Sequence, residues 1–171
     1  MNNKTIILAV EDISKVSTGI KERITNEFNI NENSVFCFNY ADDALDFLEK
    51  NSPKIIIVDL AMASDGLPKE DRNATKNSRL TGWVILKNYV FNGEFKNKLK
   101  NTHCYIFSGY GKIFCKEIGI TMTNDTIDIN EINKKLKEIR ANLYFVPKKG
   151  VDGGASELVN MIKLHSQELL N

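Results

Sequence analysis

Apolar residues follow two different patterns along the chain. In the first they form short, nearly unbroken runs, which is typical of buried strands. Because these runs do not alternate with polar residues, we expect both faces of each strand to be covered, as in a parallel sheet with helices on either side. The runs predict an α/β protein with five strands at 6–10, 34–39, 55–58, 104–107 and 144–147.

In the second pattern apolar residues recur every three or four positions, as on one face of a helix. Val16, Ile20 and Ile24 mark such a stripe on a first helix that extends from about 13 to 28. Strands and helices alternate, so the sheet is expected to be doubly wound. The remaining helices are predicted at 41–48, from Gly82 onward, at 128–141 and at 155–170.

Polar side chains follow four of the predicted strands at the point where each strand ends. Glu11 and Asp12 come after the first strand, Asp59 after the third, Ser108 after the fourth and Lys148 after the fifth. In an open parallel sheet the ligand site lies beyond the carboxyl ends of the strands. We therefore expect these five residues to gather at one edge of the sheet.

This set of residue types indicates phosphoryl chemistry at a metal site. Three carboxylates (Glu11, Asp12, Asp59) cannot stay close together without a cation, and oxygen ligands favour Mg²⁺ or a similar hard ion such as Mn²⁺ over zinc. An ionised Asp beside such an ion can act as a nucleophile toward phosphorus. Lys148 offers a point charge for a phosphoryl oxygen.

The order of acid pair, single Asp, Ser and Lys, each after an apolar run, resembles the receiver domain of bacterial two-component response regulators. Residues 41–48 are similar to that family's second helix, and residues 81–87 are similar to the start of its third. The resemblance covers nearly the whole chain and implies a flavodoxin-like (βα)5 sheet with strand order 2-1-3-4-5. It also implies a single receiver-like domain over 1–171.

The resemblance implies a role for each site residue. Asp59 is the expected phosphoacceptor, assisted by Ser108 and Lys148, and Phe145 with Ser108 is the expected switch pair. The expected metal ligands are Glu11, Asp12, Asp59 and the backbone carbonyl of Ala61. The implied partners are a histidine kinase or phosphotransfer protein as donor and a downstream protein as target. The chain is not expected to be an enzyme, although it would assist its own phosphorylation and dephosphorylation.

Three departures from the family pattern affect these expectations. Lys149 stands where receivers usually have Pro, so the aim of Lys148 is open. The polar segment 63–81 is longer than the loop of receivers, and we expect it to control access to Asp59 rather than to join the core. A helix at 128–141, with Asp128 as N-cap, is an addition between strands four and five.

Composition and chain length limit the partners, the kinds of site and the cellular location that we expect. A net charge of +1 gives no general attraction to DNA or to anionic membranes, so neither is an expected partner. Three cysteines without CxxC spacing argue against disulfides and zinc. No apolar run is long enough for a signal peptide or a membrane span, and a cytoplasmic protein is expected. Only about twenty residues follow Lys149, so the receiver is expected to stand alone, without a DNA-binding output domain.

Two other functions remain open on sequence alone. A pseudo-receiver would keep the fold as a protein-interaction module without being phosphorylated; Lys149 and the insertions favour it, and the intact acid set opposes it. A haloacid-dehalogenase-like phosphohydrolase also uses a strand-end Asp with Ser and Lys, but it needs a second acid two residues after the nucleophile. That position is Ala61.

Overall fold

A five-stranded parallel sheet forms the centre of the computed structural model, which describes residues 6–122, 126–149 and 153–170. The strands are β1 (Ile7–Val10), β2 (Val35–Phe38), β3 (Ile55–Val58), β4 (His103–Ser108) and β5 (Leu143–Pro147). Their order in the sheet is β2-β1-β3-β4-β5, as the resemblance implied, and all neighbouring strands are parallel.

The five predicted helices form close to their predicted positions. Two short helices, Lys69–Ala74 and Gly111–Glu117, were not predicted, and the first of them lies within the segment 63–81 that was expected to be a loop. The helix that begins at Thr81 is α-helical as far as Val84 and continues directly as a π-helix (Ile85–Phe91). The α-helices are α1 (Ser14–Phe28), α2 (Ala41–Lys50), α3 (Lys69–Ala74), α4 (Thr81–Val84), α5 (Gly111–Glu117), α6 (Ile129–Ile139) and α7 (Ala155–Ser166).

The two faces of the sheet belong to two separate cores. Side chains of successive strand residues point to opposite faces, so Ile57 and Phe107 pack on one side while Val58 and Ile106 pack on the other. The first core includes residues of α1 and α7, and the second includes residues of α2, α4, the π-helix and α6. Both faces are covered, which is why the strands lack polar alternation.

Helix α6 forms as predicted and packs on β5. The carboxylate of Asp128 accepts hydrogen bonds from the N–H groups of Asn130 and Glu131, so it is the predicted N-cap. On the buried side, the amide of Asn133 accepts from the N–H of Phe145 at 2.7 Å and donates to its carbonyl at 3.2 Å. This side chain fixes the register of α6 along β5.

The segment 63–81 differs from its prediction because it contributes to the core. Leu67 and Leu80 are 3% and 0% exposed and belong to the core cluster on the α2 side of the sheet. Thr75 is fully buried, with its hydroxyl donating to the carbonyl of Arg72 and accepting from the N–H of Ser78. Most residues of the segment are polar, which is why its composition indicated a surface loop. Its few apolar side chains are buried, and their packing holds the segment against the domain.

Candidate functional site

Three carboxylates meet at the carboxyl edge of the sheet. The backbone N–H groups of Glu11 and Asp59 continue the sheet hydrogen bonds, to the carbonyls of Phe38 and Val10 respectively, so both residues leave the sheet side by side. One side-chain oxygen from each of Glu11, Asp12 and Asp59 lies within 4.8 Å of the others. Glu11 and Asp59 are buried, and Asp12 is exposed at the rim.

Lys148 joins two of these acids. Its Nζ lies 2.5 Å from Oε2 of Glu11 and 2.6 Å from Oδ2 of Asp59. The backbone N–H of Lys148 donates to the carbonyl of Ser108, which continues the pairing of β5 with β4 and sets the position of the side chain. Every peptide bond among the described residues is trans, including that between Lys148 and Lys149. Lys149 in place of Pro therefore does not turn Lys148 away from the carboxylates.

The charges at this edge do not balance. Burial raises the pKa of Glu11, and the ammonium of Lys148 opposes that rise. Burial also raises the pKa of Asp12, with the negative charge of Asp59 adding to the effect. Among the residues that the structure describes, three carboxylates face a single ammonium, so the site is short of positive charge. A divalent cation would supply what is missing, and carboxylate oxygens are the donors that Mg²⁺ or Mn²⁺ prefer. The residues present therefore fit such an ion.

Ser108 lies at the same edge, at the end of β4, and is 1% exposed. Its Oγ accepts a hydrogen bond of 3.3 Å from the N–H of Tyr110. Phe145 lies further back along β5, where its buried ring stacks on that of Phe114 with centroids 5.8 Å apart. The two predicted switch residues thus have separate partners, one at the edge of the sheet and one within the core.

Gly82 also belongs to this site. The sequence indicated only that a helix begins near it. A Cβ atom on Gly82 would lie 1.9 Å from the backbone oxygen of Asp59, so only glycine allows α4 to approach this closely. The nearby hydroxyl of Thr81 donates to the carbonyl of Met62 at 2.7 Å. The start of α4 therefore holds the chain on both sides of Ala61.

Comparisons with known proteins agree with this architecture. No family model and no curated protein sequence matches the chain. Among solved structures, the chemotaxis response regulator CheY4 of Vibrio cholerae matches with a TM-score of 0.57 at 14% identity, over 94% of this chain and 99% of that chain.

The chain has the fold of response regulator receiver domains.

Two further receiver domains support this assignment. The Francisella response regulator 1452 receiver domain matches with a TM-score of 0.51 at 17% identity, over 97% of this chain and 96% of that chain. The isolated receiver domain of RcsB from Salmonella enterica serovar Typhimurium matches with a TM-score of 0.51 at 14% identity, over 95% of this chain and 90% of that chain. At these identities the likeness concerns the receiver fold alone.

The segment 63–81 begins four residues after Asp59. The polar and ionic contacts of its charged side chains, however, are made with residues outside the carboxylate site. Asp71 accepts hydrogen bonds from Asn88 and Tyr89, and Lys76 pairs with Glu117. Within the described residues, no hydrogen bond or ion pair joins a charged side chain of the insertion to the carboxylates or to Lys148. Control of access by this segment stays a prediction.

No helix among the described residues is long and apolar enough to cross a membrane.

Proposed function

We propose that this protein is a receiver whose Asp59 accepts a phosphoryl group from the phosphohistidine of a histidine kinase or phosphotransfer protein. The observation that carries the proposal is the position of Lys148, whose ammonium touches both Asp59 and Glu11 beside the third carboxylate of Asp12. An acid that is merely structural has no need of two further acids and a partly buried ammonium at the edge of the sheet.

In the proposed reaction an oxygen of Asp59 attacks phosphorus. The bond between phosphorus and the imidazole nitrogen of the donor breaks, and its electron pair returns to the imidazole. Oδ1 of Asp59 is 3.4 Å from the N–H of Ala61, while Oδ2 is held by Lys148. Lys148 then moves its hydrogen bond to an oxygen of the transferred group and neutralises charge there. Positioning and charge neutralisation are most of what this kind of transfer requires.

Glu11, Asp12, Asp59 and the backbone carbonyl of Ala61 are the groups proposed to hold Mg²⁺ or Mn²⁺. When bound, the ion supplies positive charge beside the phosphoryl oxygens. The buried carboxylate of Glu11, kept in place by Lys148, and the more exposed one of Asp12 orient this part of the site. We propose that the chain is a phosphoacceptor that assists its own phosphorylation and dephosphorylation, rather than an enzyme.

The signal is proposed to pass from Ser108 to Phe145 and so to a downstream protein. The hydroxyl of Ser108 accepts a hydrogen bond from Tyr110, and it can instead donate to a phosphoryl oxygen. That change would release the N–H of Tyr110, which directly precedes α5. Phe114 of α5 stacks on Phe145, so movement of α5 changes the packing of the switch ring.

One observation favours a pseudo-receiver as the second candidate. Asp59 is only 6% exposed, and Lys148 already occupies one of its oxygens. In a pseudo-receiver this ion pair would be permanent, and the edge of the sheet would serve only as a surface for another protein.

The two candidates differ in covalent chemistry. We expect acetyl phosphate or phosphoramidate with Mg²⁺ to add one phosphoryl group to the intact mass, and hydroxylamine to remove it because the product is an acyl phosphate. The adduct should be absent in Asp59→Ala and retained in Asp46→Ala, which changes an exposed Asp on α2.

Small donors do not modify every receiver, so binding of beryllofluoride is measured in parallel. An unmodified mass together with no beryllofluoride binding would reject the phosphoacceptor and leave the pseudo-receiver. A divalent ion should also bind before any phosphate does. If Asp12→Ala binds Mg²⁺ as tightly as the parent protein, the proposed ligand set is wrong.

A further inference from the structure

A second concave region lies away from the carboxylates, between the π-helix and the ends of α5 and α6. It encloses about 630 Å³, within the usual range for small-molecule sites. Lys100 and Arg140 border it shortly before β4 and β5 begin, which places this part of the cavity toward the amino ends of these strands. The phosphoacceptor site lies at their carboxyl ends.

The border of this cavity carries unbalanced positive charge. Lys87, Lys96, Lys100 and Arg140 line it together with a single acid, Glu117. That acid is engaged from outside the cavity by Lys76, at 2.6 Å. In the part of the chain that the structure describes, no carboxylate pairs with any of the three lining lysines. The excess of positive charge attracts an anion.

The inner wall is aromatic. Trp83 and Phe91 line the cavity, are 5% and 9% exposed, and meet edge to face with centroids 6.2 Å apart. The guanidinium of Arg140 lies 4.7 Å from the Phe91 ring and donates to the carbonyls of Leu99 and Thr102, which holds it in place. Aromatic walls and a fixed guanidinium favour a flat ring beside a negative group.

Two features of the wall are unusual for a part of the protein without a ligand. The indole N–H of Trp83 is buried without an acceptor among the described residues, and such a donor costs about 1–3 kcal/mol. The wall also includes Lys87 and Phe91 of a π-helix, a rare conformation that is often found at functional sites. A ligand with acceptor oxygens would satisfy the indole if the ring turned toward it.

We propose that this cavity binds a small organic anion that carries a planar ring next to a phosphate, of the chemistry of a nucleoside monophosphate. The border lysines and Arg140 would hold the phosphate, and Trp83 and Phe91 would contact the ring. The proposal does not depend on phosphorylation of Asp59. An acidic peptide is the competing occupant, but the partly enclosed shape and the aromatic wall favour a compact molecule.

The test uses the full chain and probes that separate the ring from the charge. Adenosine and guanosine 5′-monophosphate carry both, adenosine carries only the ring, and ribose 5-phosphate carries only the phosphate. Trp83 is the single tryptophan of the protein, so its fluorescence reports on the cavity. Calorimetry is the second measurement and does not depend on a fluorescence change. We expect one of the nucleotides to bind at least about ten-fold more tightly than either fragment, a difference that corresponds to about 1.4 kcal/mol.

Charge-reversal variants give the matched control. Lys96→Glu/Lys100→Glu changes two exposed border residues and should weaken nucleotide binding at least about ten-fold. Lys134→Glu/Lys137→Glu changes the net charge equally on an exposed part of α6 that does not line the cavity, and its affinity should match that of the parent. Added salt should weaken binding in the parent protein.

Three results would overturn the proposal. The first is the absence of both heat and quenching with either nucleotide up to millimolar concentration. The second is equal nucleotide affinity in the two charge-reversal variants. The third is tight binding of a hexaglutamate peptide with no nucleotide binding, which would make the cavity a docking site for an acidic protein segment.

Discussion

Replacing Lys148 by Met tests whether this ammonium holds the carboxylates together. Met keeps most of the length of the side chain and can still lie against Phe107, where the ammonium of Lys148 is now 5.4 Å from the ring centre. The variant therefore removes the charge and little else. In the absence of divalent ions, Glu11 and Asp59 then face each other with no cation between them.

The size of the effect follows from the geometry. Two charges that lie within 4.8 Å of each other repel by about 3.5 kcal/mol or more at an effective dielectric constant of about 20. Removing one partner of a buried ion pair costs about 3–5 kcal/mol, and here Lys148 is 17% exposed, which lowers the cost. Protonation of Glu11 offers further relief. We expect Lys148→Met to lower the free energy of unfolding by about 2–4 kcal/mol at neutral pH.

The pH dependence of the unfolding free energy shows whether the destabilisation of Lys148→Met comes from the unpaired carboxylates. The pKa of Glu11 is raised by burial, and Lys148 opposes that rise, so the variant should raise it further. A carboxyl group whose pKa is raised on folding favours the folded state below its unfolded pKa, here 4.5. That contribution is lost as the pH rises through the folded pKa. The cost of Lys148→Met should therefore shrink as the pH falls from neutral toward 4.5.

Urea unfolding followed by the fluorescence of Trp83, with a chelator present, measures these free energies. Lys149→Met is the matched control, because it removes the neighbouring exposed lysine. In the double variant Glu11→Gln/Lys148→Met the two costs should not add, since both remove the same pair. A Lys148→Met cost within about 0.5 kcal/mol of the control, the size of an ordinary surface substitution, would refute the bridging role. Full additivity would refute it as well.

Two further changes test other parts of the structure. Gly82→Ala should destabilise the protein and reduce phosphoryl acceptance, because its Cβ would lie 1.9 Å from the Asp59 carbonyl oxygen; unfolding and intact-mass measurements check both, and wild-type behaviour would disprove the close contact. Burial lowers the pKa of His103, whose Nδ1 is 2.7 Å from the hydroxyl of Ser166, so stability should fall as the pH drops below about 6.5. His103→Gln should weaken this pH dependence of the unfolding free energy, and an unchanged dependence would contradict the assignment.

Much of the fold and the site could be predicted because the signals are local. A parallel strand buried on both faces needs an unbroken apolar run, and the first polar residue after it falls at the edge of the sheet. This rule places Asp59 and Lys148 at the edge of the sheet, and in the structure Oδ2 of Asp59 lies 2.6 Å from Nζ of Lys148. The cap of α6 at Asp128 was predictable for the same reason, since capping involves residues only a few positions apart.

What the sequence did not predict depends on contacts between distant residues. The burial of Leu67 and Leu80 depends on where the segment 63–81 settles against the sheet, which its polar composition does not indicate. The role of Gly82 depends on the approach of α4 to Asp59, two elements that no local pattern connects. The cavity is formed by the π-helix, the residues that follow it and the ends of α5 and α6. Its lysines are indistinguishable in sequence from those of solvated helix faces.

The start of α4 is where the proposed phosphoacceptor site and the cavity come into contact. Gly82 touches the backbone of Asp59, while its neighbour Trp83 lines the cavity and meets Phe114 edge to face. Phe114 in turn stacks on Phe145, the proposed switch residue. Contiguous packing of this kind can carry coupling between the two sites, and such coupling is a free energy that acts equally in both directions. Nucleotide affinity measured with and without beryllofluoride gives that free energy, and equal affinities would mean that the shared helix transmits nothing between the two sites.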